Sequence, residues 1–249
     1  MELDLSGLEG IEIEGSQEMA TSKNKVDIVF VIDDSASMEP VIDGVQNNIN
    51  GFIDSLQNSG NKIDFRIGFE LYGNELFTTC PLTSDVADFK RTLIRKRIYE
   101  TGGGEITLLA IDMAADHNWR DRCHRYIIIF TNEQLSTNDY YATQISKYDE
   151  LLQKLKDLHI KIIFLGKDCP DYRRLKEVKH CSYEPIENYE SVNYVELLET
   201  IGKSVSQQSN SNADDNATSI NKDLYSRLFG LTTTTDAKNK TGEKRYDNV

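Results

Sequence analysis

Three features of the 249-residue sequence predict a doubly wound, Rossmann-like α/β domain with a mainly parallel sheet flanked by helices. Short apolar runs rich in β-branched residues recur along the chain, each as long as a strand buried on both faces. Between them stand segments with apolar residues at three- and four-residue steps, the signature of a helix with one buried face. The two kinds alternate, and alternating strands and helices build a parallel sheet through right-handed crossovers.

Residues 1–24 alternate apolar and acidic side chains in LDLSGLEGIEIEG and then turn polar, which reads as an acidic tail or an added edge strand. From Val26 the character changes to VDIVFVID, a buried strand. PVIDGVQNNINGFIDSL follows, with Val41, Val45, Ile49, Phe52, Ile53 and Leu56 on one helical face. DFRIGFELYG reads as a strand, DVADFKRTLIRKRI and ITLLAIDMAADHNW as two helices, and RYIIIFT as another buried strand. SKYDELLQKLKDL is an amphipathic helix, IKIIFLG a strand, YRRLKEV a short helix, CSYEPI a weak strand, and VNYVELLETIGKSV the closing helix.

These elements place the domain at residues 25–206. Residues 207–249 begin with a polar, Asn- and Ser-rich linker that buries too little apolar surface to offset its ordering entropy. Near 222–231 the sequence NKDLYSRLFGL carries Leu224, Tyr225, Leu228, Phe229 and Leu231 at helical spacing. It reads as a tethered docking helix or as a terminal helix packing on its own domain.

The net charge of −13, with 41 acids against 28 bases, argues against a nucleic-acid surface, which needs clustered Lys and Arg. It suits a protein that attracts cations or basic partners. A hydrophobic fraction of 39% and an aromatic fraction of 9% place part of the chain outside the core. Cys80, Cys123, Cys169 and Cys181 show neither a CxxC pair nor regular spacing, so reduced thiols in a cytoplasmic protein are expected. The amino terminus lacks a basic region followed by an apolar one, and no stretch nears 18 uninterrupted apolar residues.

In an open α/β sheet ligands bind where loops leave the carboxyl ends of the strands. Directly after the first strand stands Asp33-Asp34-Ser35-Ala36-Ser37-Met38, a D-x-S-x-S pattern with one carboxylate and two hydroxyls in a tight turn. Asp and Ser are also favoured as helix N-caps, so the turn alone would fit a capping role. Hard cations such as Mg²⁺ take oxygen ligands and keep several waters, and this donor set leaves room for a further ligand.

Here the sequence resembles the von Willebrand factor A family, whose metal-ion-dependent adhesion site begins with D-x-S-x-S after the first strand. By order of elements the resemblance covers roughly residues 25–205, with motif similarity concentrated in three loops. It implies that Ser35 and Ser37 ligate the metal directly, while Asp33 acts through water or the hydroxyl network. The family's second loop usually offers a Thr beside paired glycines; in Thr101-Gly102-Gly103-Gly104-Glu105-Ile106-Thr107, Glu105 takes that position. Thr101 and Thr107 are the alternatives. The third loop, usually T-D-G, reads Thr131-Asn132-Glu133, so Asn132 holds the Asp position and adds no charge; affinity falls unless Glu105 or Glu133 compensates.

The resemblance implies Mg²⁺, or Mn²⁺ or Ca²⁺, as the bound ion and a protein partner presenting an Asp or Glu that completes its shell. The implied role is an intracellular, bacterial-type adaptor in a stress-response, defence or AAA+/kinase-associated assembly. The alternative is a structural assembly subunit with a degenerate metal site that docks through its tails. Enzymatic readings fare worse on the residues. There is no G-x-x-x-x-G-K-[ST], no G-x-G-x-x-G after the first strand and no D-x-D. His117, His124, His159 and His180 lie at helix ends or strand starts, away from where a serine nucleophile would need a base. Trp119 reads as a core or edge anchor.

Overall fold

The run KVDIVFVID forms β1 (Lys25–Asp33), buried at every position after Lys25 because both faces are covered by helices. In this computed structural model, residues 24–58, 62–73, 77–95, 106–137 and 140–210 are described. The acidic segment 1–23 and everything from 211 onward, including the 222–231 segment, lie outside them.

β1 is joined by β2 (Asp64–Tyr72), β3 (Phe77–Thr83), β4 (His124–Thr131), β5 (Ile160–Gly166) and β6 (Cys181–Pro185) in one sheet of order β3-β2-β1-β4-β5-β6. All neighbours run parallel except β2 and β3, which pair antiparallel. This is the expected doubly wound, mainly parallel architecture, with one added antiparallel edge. The edge strand FTTCPLT reads poorly in sequence because Pro81 interrupts it, and Pro belongs on edges. Its register shifts between Ile67 and Phe69. A Cβ on Gly68 would lie 2.7 Å from the Cys80 carbonyl, so the close approach there requires glycine.

Alternate strand residues feed two apolar layers. Val26, Ile28, Phe30 and Ile32 of β1 pack with α1 (Glu39–Gln57), α2 (Val86–Arg95) and α7 (Tyr194–Asn210). Val29 and Val31 face α3 (Thr107–Ala115), α5 (Tyr148–Asp157) and the short α6 (Pro170–Arg173). α4 (Tyr141–Ser146) is too short for periodicity to betray it. α3 ends at Ala115, before the expected Trp119, whose indole N–H instead donates to the Ala115 carbonyl at 3.0 Å. α7 runs on to Asn210 and so takes in the first residues of the polar stretch. α1 and α7 meet at Gly44, where a Cβ would fall 2.3 Å from the Tyr194 ring.

All four cysteines are free, and among the described residues no helix is long and apolar enough to cross a membrane. On the edge strand, Glu184 is 3% exposed. Burial pushes its pKa up to about 7, against the opposing Ser182 hydrogen bond and Lys176 charge. An unfolded Glu ionises near 4.3, so between about pH 4.3 and 7 the folded chain keeps a proton the unfolded chain has released. Stability therefore falls as pH rises through that window. Glu184→Gln should raise stability at pH 8 by on the order of 2 kcal/mol and flatten the difference between pH 5 and 8. Thermal melts at the two pH values check this, and an unchanged pH difference would refute it.

Candidate metal centre

The chain leaves β1 toward β2 on one side, while β4 leads to β5 on the other, so the carboxyl ends of neighbouring β1 and β4 form the switch point of the sheet. The pairing of Ile32 with Phe130 sets Asp33 beside Thr131. The loops after both strands meet there.

In the first loop Asp33 and Asp34 are buried, Ser35 is 8% exposed and Ser37 faces solvent. The Asp34 N–H donates to the Tyr72 carbonyl at 2.8 Å, which ties the turn to β2. The Ser35 N–H donates to Asp33 Oδ1 at 2.8 Å. Ser35 and Ser37 turn their hydroxyls toward each other, with Oγ to Oγ 3.1 Å. From the third loop Asn132 Nδ2 donates to Ser37 Oγ at 2.7 Å, while Asn132 Oδ1 is buried without a hydrogen-bond partner.

A capping role would have spent these hydroxyls on backbone N–H groups. Ser35 stands at the N-cap of the 3-10 turn Ala36–Met38 yet makes no side-chain cap hydrogen bond, and the N-cap of α1 is Met38, not a serine. The structure therefore brings Asp33, Ser35, Ser37 and Asn132 together around one point. Glu105 and Thr101 lie outside the described residues.

Thr107 is described, and its position bears on the second loop. It opens α3 fully buried, and its hydroxyl accepts from Tyr72 at 3.0 Å and from Tyr172 at 2.9 Å. Beneath the loops, Tyr189 holds its hydroxyl 2.6 Å from the Leu165 carbonyl and 3.2 Å from that of Thr131. Burial pushes the pKa values of Tyr72, Tyr172 and Tyr189 up, and the Asp33 charge adds to the rise in each. The floor of the site is thus three neutral phenols around a buried aspartate. No local sequence signal marks them, since Tyr72 and Tyr172 reach Thr107 across 35 and 65 residues.

The arrangement fits a small divalent ion. Two oxygens in adjacent corners of a Mg²⁺ octahedron stand about 2.9 Å apart, given bonds of about 2.05 Å. The serine oxygens at 3.1 Å need move little to match, and the buried Asn132 Oδ1 is an acceptor suited to a coordinated water. Among the described residues no three His, Cys, Asp or Glu side chains gather to hold a metal. The centre would rest on hydroxyls and water, with few charges.

The model of the von Willebrand factor type A domain matches residues 27–222. Among solved structures, the conserved hypothetical protein BatB from Bacteroides thetaiotaomicron superposes with a TM-score of 0.53 at 17% identity, covering 75% of this chain and 100% of that one. At that identity the likeness speaks for the fold alone. No curated protein matches the chain. With residues 27–222, most of its length, matched, the chain belongs to the von Willebrand factor type A domain family.

Proposed function

We propose that Asp33, Ser35, Ser37 and Asn132, completed by Glu105, hold a divalent cation, Mg²⁺ or else Mn²⁺ or Ca²⁺, through which the chain captures a carboxylate of a protein partner. The chain works in this reading as an interaction adaptor within a multi-protein assembly and not as an enzyme. The observation that carries it is the pair of serine hydroxyls directed at each other and at Asn132, not at the helix caps. A bound ion supplies an electrophilic centre with open positions. The serines fix two of its corners, Asp33 orients the turn through the Ser35 N–H, and the solvent-facing side of Ser37 leaves the approach open to a partner.

One observation favours a second reading, an assembly subunit with a degenerate site that docks through its tails. Asn132 puts an uncharged amide where a carboxylate would strengthen the ion's hold, and that amide already donates to Ser37.

Calorimetric titration of Mn²⁺ into the native chain and into Ser35→Ala/Ser37→Ala separates the two readings. The expected result is saturable binding by the native chain that weakens by at least about 100-fold in the double variant, with melting temperature nearly unchanged because neither hydroxyl caps a helix. Absence of binding by the native chain overturns the metal bridge and moves the function to the tails.

A further inference from the structure

A groove of about 510 Å³ runs between α3 and the α4–α5 pair, on the opposite face of the sheet from α7. That volume falls among those of small-molecule sites, about 300–1,000 Å³. Tyr140, Gln144, Lys147, Leu151 and Lys154 form one wall, spaced by four and three residues. Such steps keep to one helical face, and they do so across Lys147, where α4 ends and α5 starts. Leu108, Leu109 and Asp112 of α3 form the other wall. Apolar and charged side chains alternate in this lining, so what fits it is amphipathic.

The two ends of the groove differ in charge. At one end α3 begins, and its N-cap Ile106 has no side chain able to cap it. Gln144, only 6% exposed, supplies the cap from another helix, its Oε1 accepting the Leu108 N–H at 2.9 Å. Only the oxygen of the amide can accept that bond, which fixes Nε2 as the other end, and Nε2 is buried with no acceptor. Lys147 follows one turn later, exposed and outside any ion pair among the described residues. An unsatisfied donor, an unpaired ammonium and the positive end of a helix dipole thus stand within a turn of one another, and all three favour an anion.

At the other end Lys154 bridges Asp112 at 2.7 Å and Asp116 at 2.9 Å, so those charges are already paired. Exposed Glu150 lies there too, six residues beyond Gln144, or roughly 9 Å along a helix. Leu109 and Leu151 supply apolar surface. Leu109 at 40% and Tyr140 at 39% exposure are two of the four exposed large hydrophobics among the described residues.

We propose that the groove binds a small amphipathic carboxylate, an alkyl or aryl-alkyl acid, with its head at Gln144 Nε2 and Lys147 and its apolar body along Leu109 and Leu151. A carboxylate accepts from Nε2 more strongly than a neutral carbonyl does and pairs with the ammonium as well. A single charge suits the groove better than two, because Glu150 stands on the same wall. The proposal uses none of the metal-site residues and does not depend on ion binding.

Octanoate is the probe, with octanamide and octylammonium as its neutral and cationic counterparts, each titrated into the isotope-labelled native chain. Two-dimensional NMR reads the Gln144 side-chain amide and the backbone N–H groups of Leu108 and Leu109. About ten non-hydrogen atoms at ordinary ligand efficiency give octanoate a Kd of about 1 mM. The expected result is saturable shifts centred on these three groups, with octylammonium at least about tenfold weaker. Lys147→Ala, at an exposed position, should weaken octanoate about threefold and leave octanamide unchanged. Leu109→Asp, which removes apolar surface and sets a negative charge beside the head, should weaken octanoate by at least about tenfold. Shifts that stay linear in octanoate, saturation elsewhere that leaves the Gln144 amide unmoved, or octylammonium binding as tightly as octanoate would each overturn the proposal.

Discussion

Asp27→Asn is expected to cost about 3–5 kcal/mol of stability, lowering Tm by roughly 10 °C for a domain of this size, while leaving ion binding at the far end of β1 unchanged. Asp27 is fully buried at the foot of the sheet. Arg66 meets it through Nε at 3.0 Å and Nη2 at 2.6 Å, and Arg120 through its Nε and its backbone N–H, both at 2.9 Å. Arg120 also bonds Asp64 at 2.7 Å, so the carboxylate fastens β1, β2 and the segment entering β4. An amide of the same shape cannot accept on every edge or balance two guanidinium groups, so it leaves the cluster with an uncompensated charge.

The acid limb of the stability curve carries the same signature. Burial raises the Asp27 pKa, but the Arg66 hydrogen bond, the Arg120 N–H and the two positive charges outweigh it and hold the group below its usual value. A carboxyl whose folded pKa lies below the unfolded value of about 3.9 contributes its full stability above that value. The contribution is lost as pH falls through the folded pKa. Melts from pH 2 to 7 should show a native chain that loses stability below about pH 4 more steeply than Asp27→Asn does. Parallel curves, or a Tm change within about 2 °C, would mean that the cluster is not what joins the strands.

β1 therefore carries two buried aspartates with opposite surroundings, and only one was legible in sequence. Asp33 announces itself through the D-x-S-x-S spacing, a local pattern after a buried strand. Asp27 lies inside the apolar run, and its partners Arg66 and Arg120 stand 39 and 93 residues away. The buried strands were legible for the same local reason: KVDIVFVID and HRYIIIFT have runs of apolar residues that few other settings tolerate. β3 was not, because a Pro-containing edge strand answers to its pairing with β2 and not to its own composition. α4, six residues long, was hidden by its length. The phenolic floor of the candidate site was hidden by its assembly from β2, α6 and the turn before α7. The D-x-S-x-S pattern marked Ser35 and Ser37, and the family resemblance added Asn132, whereas the bond from Asn132 to Ser37 spans 95 residues and needed the β1–β4 pairing to close.

That bond sets up the second large effect. Asn132→Asp is expected to tighten Mn²⁺ or Mg²⁺ by roughly 10–100-fold, the range by which groups supporting a metal shell act. Asn132 now donates its Nδ2 to Ser37 Oγ, which engages an oxygen that the proposed ion would need. A carboxylate there would instead accept from the Ser37 hydroxyl, directing its lone pairs outward and adding a negative charge. Without metal the same charge joins a loop cluster that already holds buried Asp33 and Asp34, and like charges a few ångströms apart cost about 1 kcal/mol even with the full screening of water. The variant should therefore melt about 2–4 °C below the native chain in chelator and above it in millimolar Mn²⁺, since a tighter ligand stabilises by RT ln(1 + [L]/Kd). A crossing of the two melting temperatures between chelator and metal is the decisive outcome. Curves that shift in parallel, with no gain in affinity by calorimetry, would place position 132 outside the ion's reach and leave the serine pair without its third-loop support.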